Sequence, residues 1–317
     1  MRSVRKAGFV CFGEVNTPYE RLKAKHDQAW KLLGKLGVEA VDAGIVLDDP
    51  GYGTAQEAIR KLEGGGFCCL VICVAGWIPS HAVIQVTDPF RHIPMLLWGL
   101  CGWMENGHIV TTADQAGTTA LRPVFEEMGY RFSYVYSTMD QGHPEERIDS
   151  FIRAAYALQR LRQAKIGTMG YRDMLLYGTQ CEGTSLRHVL GIETEPFEML
   201  EMVQNAEKVS RADIETWKTY IDRNWCILNR DAGAEETVER GVRYALAIGR
   251  KVEERGYDAV TLLDVDGMKK LLGFPPAMVF MLLNRIYGVQ VIPENDILGS
   301  ATQLLMHFAT DQTVLDI

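Results

Sequence analysis

Short apolar runs rich in β-branched residues alternate, through the first half of the chain, with longer stretches whose apolar positions recur at helical spacing. That is the pattern of a parallel sheet covered by helices, and not of a sandwich or a bundle. Strands are predicted at 7–12, 38–43, 67–75, 94–98 and 132–136. These runs are mostly apolar, as strands buried on both faces must be, although Glu39 and Asp42 interrupt the second. Helices are predicted at 19–36, where Leu22, Ala29, Leu32, Leu33 and Leu36 share a face, and at 118–128 and 145–163, with Gly37 and Gly129 as stops.

At 164–171 a fresh strand and a glycine turn follow a long basic helix, so the same βα programme begins again. The second half offers helices at 183–190, 214–225, 235–254, 276–287 and 297–308, and strands at 259–263 and 289–292. The fold class read from this order is α/β, with two doubly wound, Rossmann-like parallel-sheet domains in tandem at 1–163 and 164–317. Residues 314–317 read as a strand just leaving a sheet, an ending that looks cut short.

The 317 residues are 47% hydrophobic and 23% charged, a globular composition that gives no reason to expect disorder. A net charge of -8 lacks the basic footprint of a nucleic-acid or anionic-membrane binder and favours small polar substrates or protein partners. No window approaches the roughly 18 apolar residues of a membrane-spanning helix. The first residues carry no secretion signal, so the reading is cytoplasmic. Seven cysteines fit that compartment: Cys68, Cys69 and Cys73 fall inside an apolar run, no CxxC spacing occurs, and all are read as packed side chains.

In open α/β sheets ligands bind beyond the carboxyl ends of the strands, so the polar residues that follow each strand are the candidates for chemistry. Asp264 and Asp266 follow the strand at 259–263, one read as a turn residue and the other as facing the cleft. Glu294, Asn295 and Asp296 follow the strand at 289–292; there an Asn or Asp caps the next helix or a carboxylate faces a ligand. Three or four such carboxylates converging would form a hard, oxygen-rich site for Mn²⁺ or Mg²⁺, or the acid and base of a proton transfer. The glycines at 64–66 precede a strand, no GxGxxG opens a helix, and Asp264-Val265-Asp266-Gly267 lacks the rest of a calcium loop, so nucleotide and calcium sites are set aside. His307 sits in an apolar helix and reads as packed. Trp77 follows a buried strand, where it either stacks on a sugar or packs under the next helix.

In order and spacing, several segments resemble the L-fucose isomerase family and the related D-arabinose and L-arabinose isomerases. They are Cys69 to Trp77 followed by Ala82-Val83, Pro94 to Gly99, Ala164 to Gly167, Leu186 to Gly191, and Pro293-Glu294-Asn295-Asp296-Ile297-Leu298-Gly299. The likeness spans all 317 residues and corresponds to the amino-terminal and middle domains of that family, with its third, carboxy-terminal domain absent. It implies a metal-dependent aldose–ketose isomerase working through a cis-enediol, with Mn²⁺ or another divalent cation such as Mg²⁺. Asp296 matches the catalytic, metal-binding Asp of the family's END motif, Glu294 and Asp266 support it, and Trp77 matches an aromatic that reaches a neighbour's site in a homo-oligomer, a trimer or hexamer. The family's second acidic ligand lies on the helix before the END strand, and residues 276–283 carry no carboxylate, which leaves Asp264 or Asp266 to substitute. The alternatives left open are a non-catalytic sugar- or metabolite-binding protein on the isomerase scaffold and a structural subunit completed by another chain.

Overall fold

The computed structural model describes residues 4–228 and 232–310; the strand read at 314–317 lies outside them. The chain divides into two compact units, Met1–Gln159 and Arg160–Ile317. Both are α/β, each with its own parallel sheet.

The first unit runs β1 (Arg5–Phe12), α1 (Tyr19–Lys35), β2 (Val38–Val46), α2 (Gly53–Leu62), β3 (Cys69–Val74), α3 (Ser80–Thr87) and β4 (Met95–Cys101). It continues through a two-stranded antiparallel hairpin, β5 (Trp103–Glu105) and β6 (His108–Val110), to α4 (Asp114–Glu127), β7 (Phe132–Thr138) and α5 (Glu145–Leu161). The strand order is β2-β1-β3-β4-β7, parallel throughout. Because successive strand residues point to opposite faces, the central strands supply two cores. Phe9, Cys11, Val71, Cys73, Leu96 and Trp98 face one side, packed on Leu22, Ala29 and Leu33 of α1 and Ile148 and Ile152 of α5. Val10, Phe12, Leu70, Ile72 and Leu97 face the other, under Ala58 and Leu62 of α2, Val83 and Val86 of α3, and Leu121 and Phe125 of α4. Glu39 and Asp42 fall on β2, an edge strand, where Glu39 is exposed and the half-buried Asp42 lies 3.0 Å from His26 Nε2. Five cysteines, Cys11, Cys68, Cys69, Cys73 and Cys101, are buried as small apolar side chains, whereas Cys226 is exposed.

The second unit runs β8 (Lys165–Met169), α6 (Gly183–Val189), β9 (Glu193–Phe197), α7 (Met199–Glu207), α8 (Arg211–Asn224), α9 (Ala232–Arg255), β10 (Ala259–Leu262), α10 (Ala277–Tyr287), β11 (Gln290–Ile292) and α11 (Ile297–Thr310). Its sheet is also parallel, in the order β11-β10-β8-β9. In both sheets the second strand lies outside the first and the third lies on the first strand's other side. The direction of winding therefore reverses between β1 and β3 and between β8 and β10, which opens a crevice at the carboxyl ends of those strands. Met169, Val260 and Leu262 join a core with Ala245 and Ile248 of α9, Leu282 and Leu283 of α10, and Met202 of α7; α11 packs across β8, β10 and β11. Among the described residues no helix is long and apolar enough to cross a membrane.

Glycine is required inside α9 by a close approach. A Cβ on buried Gly249 would lie 1.9 Å from the Tyr287 ring at the end of α10. Alanine ordinarily stabilises a helix interior by about 1 kcal/mol over glycine, but overpacking costs about 1–3 kcal/mol. Gly249→Ala is therefore expected to lower the thermal midpoint, and adding Tyr287→Ala to give back part of the loss; a raised midpoint in the single variant would contradict this packing.

Candidate functional site

Acidic side chains gather at the carboxyl ends of β8, β10 and β11, and each is placed by a local irregularity of the backbone. After β8 the chain turns at Gly170, φ +85°, where the backbone needs the left-handed region that glycine enters freely. That turn delivers Asp173 into the interior, fully buried. After β10 the chain enters a π-helical turn, Asp264–Lys269, a form that frequently marks functional sites. The carboxylate of Asp173 holds the start of that turn: Oδ2 accepts the Val265 N–H at 2.8 Å, and Oδ1 accepts those of Asp266 at 2.8 Å and Met174 at 3.0 Å. Three backbone donors give a buried carboxylate the hydrogen bonds that water would otherwise supply.

After β11 two successive non-glycine residues are left-handed, Glu294 at φ 63° and Asn295 at φ 52°. Such positions cost on the order of 1–3 kcal/mol each and persist only where the surroundings over-determine them. Here the Glu294 N–H donates to Asp264 Oδ1 at 2.5 Å, the Asn295 N–H to the Leu262 carbonyl at 2.9 Å, and Asn295 Nδ2 to the Met169 carbonyl at 3.1 Å. The end of β11 is thereby tied to the ends of both β10 and β8. Asn295 is fully buried, and its Oδ1 is left without a hydrogen-bond partner among the described residues.

The sequence-predicted residues take different places in this arrangement. Asp264 lies at the centre, only 8% exposed. Burial, together with the neighbouring Asp173 carboxyl, pushes its pKa up to about 6, while the Glu294 N–H works in the opposite direction. Asp266 turns to the surface side of the π-helical turn, where it accepts from Lys270 Nζ at 2.5 Å and the Met174 N–H at 2.7 Å; the lysine holds its carboxyl below the ordinary range. Asp296 is the N-cap of α11, its Oδ1 accepting the Gly299 N–H at 2.8 Å. The capping alternative thus describes one of its oxygens, and Asn295, the other capping candidate, is instead the buried tie between strands. Trp77 belongs to the first unit, where it follows β3, is 37% exposed, and donates its backbone N–H to the Thr112 carbonyl at 2.7 Å.

Asp173 was the residue that strand-end reasoning passed over. It stands four residues beyond the end of β8, where the same strand-end rule points.

A divalent cation is poorly served by this donor set. Among the described residues no three His, Cys, Asp or Glu side chains converge to hold a metal ion. One oxygen of Asp264 is engaged by Glu294, Asp266 is neutralised by Lys270, and Asp296 serves a helix cap. The Mn²⁺ or Mg²⁺ implied by resemblance does not fit these residues as they stand, and no chemical step below passes through one. Comparison with known proteins adds no assignment: no family model and no curated protein sequence matches the chain.

The raised pKa of Asp264 has a signed consequence for stability. An unfolded aspartate releases its proton near 3.9, whereas folded Asp264 keeps it to about 6. Between those values the folded state binds the extra proton, so this residue's contribution is fully present below about pH 4 and is lost as pH rises through 6. Asp264→Asn keeps an acceptor for the Glu294 N–H without the charge. The variant is expected to unfold at a higher temperature than wild type at pH 8, by an amount on the order of 1–2 kcal/mol, with the gap closing at pH 4. Thermal unfolding of both proteins across that range checks it, and a gap independent of pH would contradict the assignment.

Proposed function

We propose that the protein is an aldose–ketose isomerase, with its chemistry at the carboxyl edge of the second sheet and its chain arranged as two doubly wound domains in tandem. The observation that carries this reading is the linking of Asp173, Asp264 and Glu294 at the ends of three adjacent parallel strands, with Asp264 ionising at about 6. A general base that must take and return a proton near neutrality works best with a pKa near the operating pH, and burial beside Asp173 supplies that property here. The residue resemblance to sugar isomerases, and the absence of a basic surface charge, support a small polyhydroxylated substrate over a nucleic acid.

In this mechanism the Asp264 carboxylate removes the proton from C2 of the aldose, the C1 carbonyl oxygen takes a proton from solvent, and a cis-enediol forms. Loss of the O2 proton to solvent, with return of the carried proton from Asp264 to C1, gives the ketose and restores the carboxylate. Asp264, which ionises at about 6, takes the base role, and Asp296, whose Oδ1 caps α11, positions the END turn and borders the substrate. Glu294 lines the same edge. Trp77 enters through the homo-oligomer that the resemblance implies, stacking on a sugar held by a neighbouring copy.

Incubation of the protein with an aldopentose and with 6-deoxyhexoses in D₂O, followed by proton NMR, is expected to show ketose formation and loss of the C2 proton signal. Asp264→Asn should slow this by about 10²–10⁴-fold. Asp296→Ala should lower stability by about 1 kcal/mol through the lost cap and reduce turnover less than Asp264→Asn does. Saturable sugar binding with no exchange at C2 would instead support the non-catalytic binding reading.

A further inference from the structure

The first unit contains a concavity of about 440 Å³ beyond the carboxyl ends of β4 and β7, bordered by the β5–β6 hairpin and the start of α4. Trp103 and Met104 of β5, Ile109 of β6 and Tyr136 of β7 supply its apolar wall. Met104, Ile109 and Tyr136 are 55%, 78% and 62% exposed, so three large apolar side chains face solvent around one hollow. Exposed apolar surface gathered around a concavity of this volume is the usual form of a small-molecule site.

The polar groups around it select the ligand's charge. Asp114 lines the hollow, but its carboxylate is paired with the fully buried Lys25 ammonium, which Thr112 Oγ1 also accepts from at 3.0 Å. That lysine is therefore already neutralised, and the Arg21 guanidinium, 5.2 Å over the Trp103 ring, is paired with Glu105 at 4.0 Å, so among the described residues no unpaired cation lines the wall. Asp140, also in the lining, accepts the Met104 N–H and carries a charge that repels anions. Thr111, Gln115, Thr138 and Gln141 remain as polar side chains to recognise a ligand. Thr138 Oγ1 is buried without a hydrogen-bond partner, and Gln115 accepts the Cys101 thiol on Oε1 at 2.8 Å while its amide N–H groups make no hydrogen bond among the described residues.

We propose that this hollow is a ligand site for an uncharged, ring-shaped small molecule with one or two polar substituents, held between Trp103, Met104, Ile109 and Tyr136 and hydrogen-bonded by Thr138 and Gln115. All of its lining residues belong to the first unit, and the proposal does not depend on the isomerase reading.

Fluorescence titration of the full chain with N-phenyl-1-naphthylamine, an uncharged two-ring probe, tests it against 8-anilinonaphthalene-1-sulfonate, a similar molecule carrying a negative charge. Saturable binding of the uncharged probe is expected, about tenfold or more tighter than the sulfonate. Tyr136→Ala and Met104→Ala should each weaken it about five- to tenfold with the thermal midpoint unchanged, and Leu175→Ala, an exposed apolar position of the second unit, should leave it as it is. Absence of saturable binding, equal affinity for the sulfonate, or equal loss in Leu175→Ala would overturn the proposal. So would sedimentation showing a dimer that Ile109→Arg dissociates and that excludes the probe, because the occupant would then be a second copy of the chain.

Discussion

The carboxylate of Asp173 sits beneath the carboxyl edge of the second sheet with no exposure to solvent, and the surrounding backbone is arranged around it. Three N–H groups converge on its two oxygens, two of them from the first residues of the π-helical turn after β10. An isolated carboxylate there would be prohibitively costly; with those donors it becomes a fixed negative charge at the end of β8. The neighbouring Asp264 then has two reasons to keep its proton, removal from water and a like charge beside it. The same interaction thus orders the turn and sets the acidity of the residue that the turn presents.

Strain accumulates at the same edge. Met174, Leu175, Glu294 and Asn295 all adopt left-handed backbone, and none is glycine. The ties from Asn295 to Leu262 and Met169, and from the Glu294 N–H to Asp264, are what hold two of these conformations in place. Backbone strain held by specific ties at strand ends is typical of sites that must present groups to a ligand. In the first unit the buried charge is treated differently. Lys25 and Asp114 meet there as a fully buried ion pair, with Thr112 Oγ1 donating to the Asp114 carboxylate at 2.9 Å.

Much of the scaffold was legible because its strands are buried on both faces and therefore read as continuous apolar runs. The polar interruption at Glu39 and Asp42 became intelligible once β2 proved to be an edge. Elements whose pattern carried less apolar signal were not anticipated. α2 contributes only Ala55, Ala58 and Leu62 to the core, and α3 is rich in β-branched residues that favour strands, so packing against the sheet overrides propensity. β9, with Glu193, Glu195 and Pro196, is an edge strand that tolerates proline. The β5–β6 hairpin did carry a readable cue, Asn106-Gly107, and both residues take the positive φ that such a turn requires. Within the site, the acidic strand ends were visible in sequence. Which carboxylate is buried, which caps a helix and which pairs with a lysine depends on contacts between residues about 90 and 30 positions apart, as between Asp173 and Val265 or Asp264 and Glu294, and no local pattern encodes them.

The most direct test of this account is a carbon-13 NMR titration of the aspartate side-chain carboxyls, with Asp264 assigned by its absence in Asp264→Asn. The account predicts that Asp264 titrates near 6 in the wild-type protein and shifts down by about one unit or more when Asp173→Asn removes the neighbouring charge. Titration of Asp264 in the ordinary aspartate range near 3.9, unmoved by that substitution, would contradict it.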